Sequence, residues 1–198
     1  MEAAAAGSFI AMAVNGLYLT IKNEGGVYMY QLAEPSMNLE KSYNNYIDEW
    51  EKAGENIIPT AAKREGKPFK QLVQEWGAQK TDRMYEQGWV PASLYFLIDE
   101  NKKIYGALQI RHALNEKLLK LGGHIGYGVR PSERQKGLAT KMLSLSLKKA
   151  EELGLRRVLI TCDKKNIGSA KTITNNRGVL ENEEDDGNRI TQRYWVQI

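Results

Sequence analysis

The sequence predicts an α/β (α+β) domain: a mixed, mainly antiparallel sheet flanked by helices, with one parallel pair of strands near its middle. Three observations carry this. Residues 93–98 and 103–113 are apolar, β-type runs separated by Asp99-Glu100-Asn101-Lys102, the pattern of an antiparallel hairpin. An amphipathic stretch after Gly137 leads straight into Val158-Leu159-Ile160, a short apolar run suited to a buried strand. A strand before that helix and a strand after it imply a right-handed crossover and parallel pairing. Finally, Leu39, Tyr43, Tyr46, Ile47 and Trp50 recur at helical spacing, which supplies a helix with one apolar face.

Taken in order, residues 27–32 read as a strand ending before Glu34-Pro35-Ser36. A helix follows over 38–52, stopped by Gly54. Residues 55–67 read as a loop. A second helix is predicted over 68–86, with Pro68 in its first turn and Phe69, Leu72, Val73 and Trp76 as its apolar face. Gly88 and Pro91 end that pattern. After the hairpin, residues 115–123 connect to a strand over 124–130 closed by Pro131. The long helix sets Ala139, Leu143, Leu147 and Ala150 on one stripe beside Met142, and Gly154 suits its C-terminal cap. Asn166 is a good N-cap for a short helix to about 175. A strand beginning at 178–180, an acidic turn over 181–187 and a last strand over 190–198 complete the chain.

A chain of 198 residues suits one such domain, alone or with an extension. The N-terminal 28 residues read as that extension, with Met29 an alternative start. Their apolar run is interrupted at Asn15-Gly16 and preceded by Glu2 without a basic residue, so it resembles neither a membrane span nor a regular signal peptide. A degenerate signal peptide is the alternative reading. The formal charge of +4 is spread along the chain, which argues against a nucleic-acid surface and suits a small polyanion equally well. Cys162 is the only cysteine, so there is no internal disulfide and no multi-cysteine metal site. It reads as a small apolar filler in a strand, and the composition points to a reducing, cytoplasmic setting with no metal cofactor.

The most informative stretch is the turn Arg134-Gln135-Lys136-Gly137-Leu138-Ala139 between a strand and a long helix. The first N–H groups of a helix lack partners and carry partial positive charge. With Arg134 and Lys136 beside them and no Cβ at Gly137, they make an anion site suited to phosphate. The preceding strand carries Gly126 and Gly128, as if something lies close along it.

This turn matches the Gln/Arg-x-x-Gly-x-Gly/Ala signature, and it stands in the expected order: Val129-Arg130-Pro131 closes the strand before it, and Asn166-x-x-Ser169 opens the later helix. On these residues the chain from about 28 to 198 resembles the GNAT superfamily of N-acetyltransferases, most closely its bacterial branch of predicted acetyltransferases. The resemblance implies that residues 29–198 form an acyl-CoA N-acyltransferase domain whose central parallel strands splay apart. It implies acetyl-CoA as co-substrate, with pyrophosphate on the amides of Gln135, Lys136, Gly137, Leu138, Ala139 and Thr140, charge from Arg134 and Lys136, and pantetheine along the splayed strand. The Val129 N–H is the implied donor to the thioester carbonyl. Asn166 would bond the pantetheine arm, with Ser169 beside it.

Two features depart from that pattern. Where many members carry a proton-donating Tyr, this chain has Ile173. The strand over 124–130 holds no carboxylate; only His124 and Tyr127 titrate there. Each has a plainer reading, His124 as a strand-end residue bonded to backbone and Tyr127 as packing. Two function classes follow. One is transfer of acetyl from acetyl-CoA directly to an amine of a small molecule or peptide. The other is a non-catalytic acyl-CoA-binding regulatory domain. Neither needs nucleic acid or a membrane, and a homodimer is compatible with both. The acidic residues 181–186 read as a solvated hairpin tip or as an attractor for a cationic amine.

Overall fold

The computed structural model describes residues 9–13, 16–23 and 26–198, with side chains from residue 29 onward. Strands β1 (Phe9–Ala13), β2 (Gly16–Asn23), β3 (Gly26–Ala33), β4 (Ala92–Ile98), β5 (Ile104–Arg111) and β6 (Ile125–Val129) form one antiparallel sheet in sequential order. Strands β7 (Arg157–Asp163), β8 (Val179–Asp185) and β9 (Ile190–Gln197) form a second, with β9 in the middle. Of the expected extension over 1–28, residues 1–8, 14–15 and 24–25 lie outside the described residues; β2 pairs antiparallel with β3 and β1 with β2. No helix of the described residues is long and apolar enough to cross a membrane.

Helices cover both faces of the larger sheet. On one side lie α1 (Glu40–Lys52) and α2 (Phe69–Ala78); on the other lies α4 (Leu138–Glu152), followed in chain order by α5 (Ile167–Asn175) beside it. A four-residue helix, α3 (Arg83–Glu86), precedes β4. Strand β4 is buried throughout and divides its side chains between two cores. Leu94, Phe96 and Ile98 pack with Tyr43, Tyr46, Trp50 and Trp76 of α1 and α2. Tyr95 and Leu97 pack with Met142, Leu143 and Val158 on the opposite face. This is period-two alternation with both faces apolar, so no strand residue is left to solvent.

The expected parallel pair is β6 and β7, and it parts almost at once. The His124 N–H donates to the Leu159 carbonyl at 2.6 Å, and the Leu159 N–H donates to His124 Nδ1 at 2.8 Å. Further along, the Tyr127 hydroxyl of β6 lies 3.0 Å from the hydroxyl of Ser169, which follows β7 in the chain, so the strands run in the same direction. No ladder joins them beyond the first bond, and the expected single sheet is two sheets meeting at a seam. Gly123 makes the seam: its φ is +65°, and a Cβ there would stand 2.6 Å from the Leu159 carbonyl oxygen. One helical turn over Leu118–Gly122 seats on β7 through the Thr161 hydroxyl, which donates to the Leu121 carbonyl at 3.0 Å.

Several elements differ from the sequence reading. The helix expected over 68–86 ends at Ala78, because the Gln79 carbonyl accepts from the Ala92 N–H of β4 at 2.9 Å and the chain after Trp76 has no apolar anchor; Tyr85 is exposed. The acidic turn expected over 181–187 is mostly strand, with β8 running to Asp185. The buried stripe of α4 centres on Met142, Leu143, Leu145, Ser146 and Ala150, with Ala139 and Leu147 at its margin. The C-terminal cap forms as expected: Gly154 has φ +83°, and the Leu155 N–H donates to the Ala150 carbonyl at 3.0 Å.

Gly123→Ala is expected to destabilise the fold by about 2 kcal/mol or more, combining left-handed strain with displacement of Leu159. Denaturant unfolding followed by circular dichroism checks this; an unchanged midpoint would show that the seam tolerates a side chain.

Candidate active site

The seam leaves one edge of β6 open. At the two ends of β6 the Arg130 N–H donates to the Tyr105 carbonyl at 2.9 Å and the His124 carbonyl accepts from the Arg111 N–H at 2.8 Å, so the backbone groups of Gly126 and Gly128 face β5. By alternation the backbone groups of Ile125, Tyr127 and Val129 face the gap. A cleft of about 510 Å³ occupies it. Its floor is Tyr127, Gly128, Val129, Leu138 and Ala139. One wall is Asn166, Gly168, Ser169 and Thr172 at the start of α5, and the other is Trp50, Glu55, Asn56 and Ile58.

At one end lies the turn before α4. Gln135 and Gly137 have φ of +61° and +75°, which folds the chain tightly into the helix. The first helical bond runs from the Lys141 N–H to the Gly137 carbonyl at 3.3 Å, so the amides of Leu138, Ala139 and Thr140 have no partner within the helix. Glu133 lies beside this turn, and Lys103 and Lys136 hold it at 2.7 and 2.9 Å. Burial opposes its ionisation, but those two lysines outweigh burial and keep its pKa low. The arrangement suits a diphosphate.

Along the cleft, the Asn166 side chain accepts from the Ser169 N–H at 2.9 Å and caps α5. The Ser169 and Tyr127 hydroxyls are 3.0 Å apart. Burial pushes the Tyr127 phenol up to about 12, so it stays protonated near neutrality. Of the residues named from sequence, the cleft therefore gathers Tyr127, Val129, Arg134, Gln135, Gly137, Leu138, Ala139, Asn166 and Ser169.

Others lie elsewhere. His124 does not line the cleft. Its ring is buried against Trp195, its Nδ1 serves the Leu159 N–H, and desolvation lowers its pKa to about 4. Its ring is thus neutral near pH 7 and bonded to backbone. Lys136 and Thr140 are not among the lining residues; the Thr140 carbonyl accepts from Asn176 at 3.0 Å. Ile173 is fully buried in the core. The glycines of β6 answer to the chain itself. A Cβ at Gly128 would strike the Ile58 carbonyl oxygen, and one at Gly126 would touch Pro59, so the loop before α2 occupies the space expected for a ligand. The acidic residues of β8 are largely taken up: Glu181 pairs with Arg193 and Glu183 with Lys164, each at 2.8 Å.

Sequence reading missed what holds the Val129 end in place. Arg130 is buried, and its guanidinium bonds Glu49, the Asn45 side-chain oxygen at 2.9 Å and the Ile104 backbone carbonyl at 2.9 Å. The second Glu49 oxygen accepts from the Ser132 N–H at 2.8 Å. Partial burial opposes ionisation of Glu49, but the Arg130 and Ser132 hydrogen bonds prevail and hold its carboxyl down at about 2. These partners lie more than 80 residues apart in sequence, and no local signal links them.

The model for the Acetyltransferase (GNAT) domain matches residues 58–177. The chain belongs to this family. GNAT folds are also the solved structures it resembles. A microcin C7 self-immunity acetyltransferase, solved with acetyl-CoA and AMP, is 17% identical, with 85% of this chain and 92% of that one covered at a TM-score of 0.57. The Salmonella typhimurium acetyltransferase that modifies the N-terminal serine of ribosomal protein L7/L12 is 18% identical, covering 85% and 95% at 0.60. The ribosomal-protein-S5-alanine acetyltransferase of Vibrio fischeri is 17% identical, covering 90% and 96% at 0.58. A search of curated proteins found no matching relative. As a GNAT member the protein is an acetyl-CoA-dependent N-acetyltransferase with an amine acceptor, and the resemblance read from the turn and its flanking strand and helix holds.

The Glu49 carboxyl sits below its ordinary 4.5 in the folded state, so its contribution to stability is complete above that value and disappears as pH falls towards about 2. Glu49→Gln is expected to cost about 3 kcal/mol at neutral pH and to flatten the stability profile between pH 5 and 2 by about that amount. Denaturant melts across that range measure both.

Proposed function

We propose that the cleft beside β6 carries direct acetyl transfer to the amine of a small molecule or peptide. The observation behind this is the gathering of three functions in one gap: helix-start amides at the turn, the Val129 backbone facing the open edge, and the Tyr127–Ser169 hydroxyl pair on the opposite side. Acetyl-CoA supplies the acetyl group as an activated thioester. The amides of Leu138, Ala139 and Thr140 bind its diphosphate, and Gly137 gives them their close approach. The open edge of β6 receives the pantetheine arm, and the Asn166 side chain meets it from the other wall. The Val129 N–H stabilises charge on the carbonyl oxygen, a contribution of about 3 kcal/mol for a single donor.

Ile173 supplies no proton, and the hydroxyl pair takes that part: Ser169 gives its proton to the leaving sulfur as it takes up the Tyr127 phenol proton, and the phenol is reprotonated from water. The Tyr127 phenol is protonated near neutrality, so the relay begins with its proton in place. The amine proton leaves to water, since β6 presents no carboxylate. In the same reading residues 29–198 form the catalytic domain, residues 1–28 are an extension, and the protein works in the cytoplasm without nucleic acid, membrane or metal.

The direct test is calorimetric titration with CoA, followed by turnover of acetyl-CoA over a panel of polyamines, amino acids and peptides with free N-termini. Wild type is expected to bind CoA and to acetylate a member of the panel. Gly137→Val, strained at φ +75°, is expected to lose at least tenfold in CoA affinity while remaining folded; equal affinity would move the diphosphate elsewhere. Ser169→Ala is expected to lower kcat by about 100-fold and Tyr127→Phe by less, with CoA affinity unchanged. If Ser169→Ala turns over normally, the proton comes from another source.

A further inference from the structure

The side chain of the signature's first residue, Arg134, is engaged by the protein itself. Its Nε–H donates to the Val129 carbonyl at 3.2 Å. Its two terminal nitrogens fork onto both oxygens of Glu55, at 2.9 and 2.7 Å. Its guanidinium plane lies 4.9 Å from the centre of the Trp50 ring. Three of five N–H donors, the charge and one face are thus committed to the chain itself. Hydrogen bonding from Arg134 lowers the Glu55 pKa, so the pair is ionic at neutral pH.

We propose that Arg134 is a positioning residue for the transfer reaction: it straps the loop after α1 to the end of β6 and orients Val129, and it is not a phosphate ligand. The proposal rests on the reading of Val129 given above. The peptide between Val129 and Arg130 is gripped at both polar atoms, the carbonyl by Arg134 and the N–H by the Tyr105 carbonyl at 2.9 Å. On the other side the Arg130 side chain is held by Glu49 and Asn45 of α1. Two arginines four residues apart, one before the turn and one opening it, therefore fasten the end of β6 to α1 and its following loop. The same loop lies on Gly128, where the Ile58 carbonyl leaves no room for a side chain. Strapped this way, the residue that bears the reactive N–H cannot rotate independently of the cleft wall. A lysine carries its three donors on a single nitrogen and lacks the planar fork of spaced nitrogens that reaches both Glu55 and the Val129 carbonyl.

The experiment compares wild type, Glu55→Gln, Arg134→Gln and Arg134→Lys by CoA titration and by acetyl-CoA turnover with the best amine of the panel. A strap predicts CoA dissociation constants within twofold of wild type in all three variants. It also predicts kcat lowered tenfold or more in Glu55→Gln and Arg134→Gln, KM for acetyl-CoA unchanged, no rescue by Lys, and a double variant no worse than either single one. A phosphate ligand predicts the opposite pattern: Arg134→Gln weakens CoA binding tenfold or more, and Glu55→Gln tightens it by freeing the guanidinium. That pattern, or unchanged kcat in both single variants, overturns the proposal. Absence of CoA binding by wild type would instead defeat the functional reading on which it rests.

Discussion

The site exists because two neighbouring parallel strands stop pairing after a single backbone bond. At His124 and Leu159 the strands β6 and β7 are close enough to exchange that bond and an imidazole contact. Beyond it they diverge, each held by its own antiparallel sheet. An unpaired strand edge inside a protein is costly unless something meets its polar groups. Here the edge of β6 opens into the cleft, which turns a defect in the sheet into a rail of backbone donors and acceptors. The left-handed Gly123 and the turn over Leu118–Gly122 set where the parting begins.

A rail is useful only if it stays still. The end of β6 is fastened by charges from outside its sheet. Arg130 reaches back to Glu49 and Asn45, and Arg134 to Glu55 and Trp50. The first pair is largely sequestered, the second half-exposed. A buried arginine left without its carboxylate is far more damaging than a surface pair lost, so the two straps have different weights. The Glu49 link belongs to the fold; the Glu55 link lines the cleft. Both tie catalytic geometry to α1, a helix that contributes only Trp50 to the cleft lining.

The chemistry is distributed in the same way. The turn before α4 offers amides through helix geometry alone, and its signature residues are legible in sequence. Where the superfamily pattern places a proton-donating Tyr, Ile173 fills the core under α5. One turn earlier Ser169 faces the cleft, and its hydroxyl meets Tyr127 across the gap. Tyr127 was legible as a residue sharing a side with Val129. Its partner was legible only as part of Asn166-x-x-Ser169, and their 3.0 Å contact spans 42 residues of chain.

What the sequence determined by itself is local: the hairpin β4–β5, the amphipathic helices, the Gly154 cap, the Gly137 turn and the Asn166 cap. Each depends on residues within a few positions of one another, through periodicity, left-handed glycines or a side chain bonding its own helix start. Tertiary structure alone decided which side chains face the cleft and which serve the frame. It turned His124 into a neutral buried strut, gave the acidic residues of β8 to a strand with basic partners, and filled the space above Gly126 and Gly128 with the loop carrying Ile58 and Pro59. It also matched Arg130 and Arg134 with carboxylates on α1 and the loop after it. These outcomes depend on distances between segments far apart in the chain, and nothing in the spacing of neighbouring residues encodes such distances.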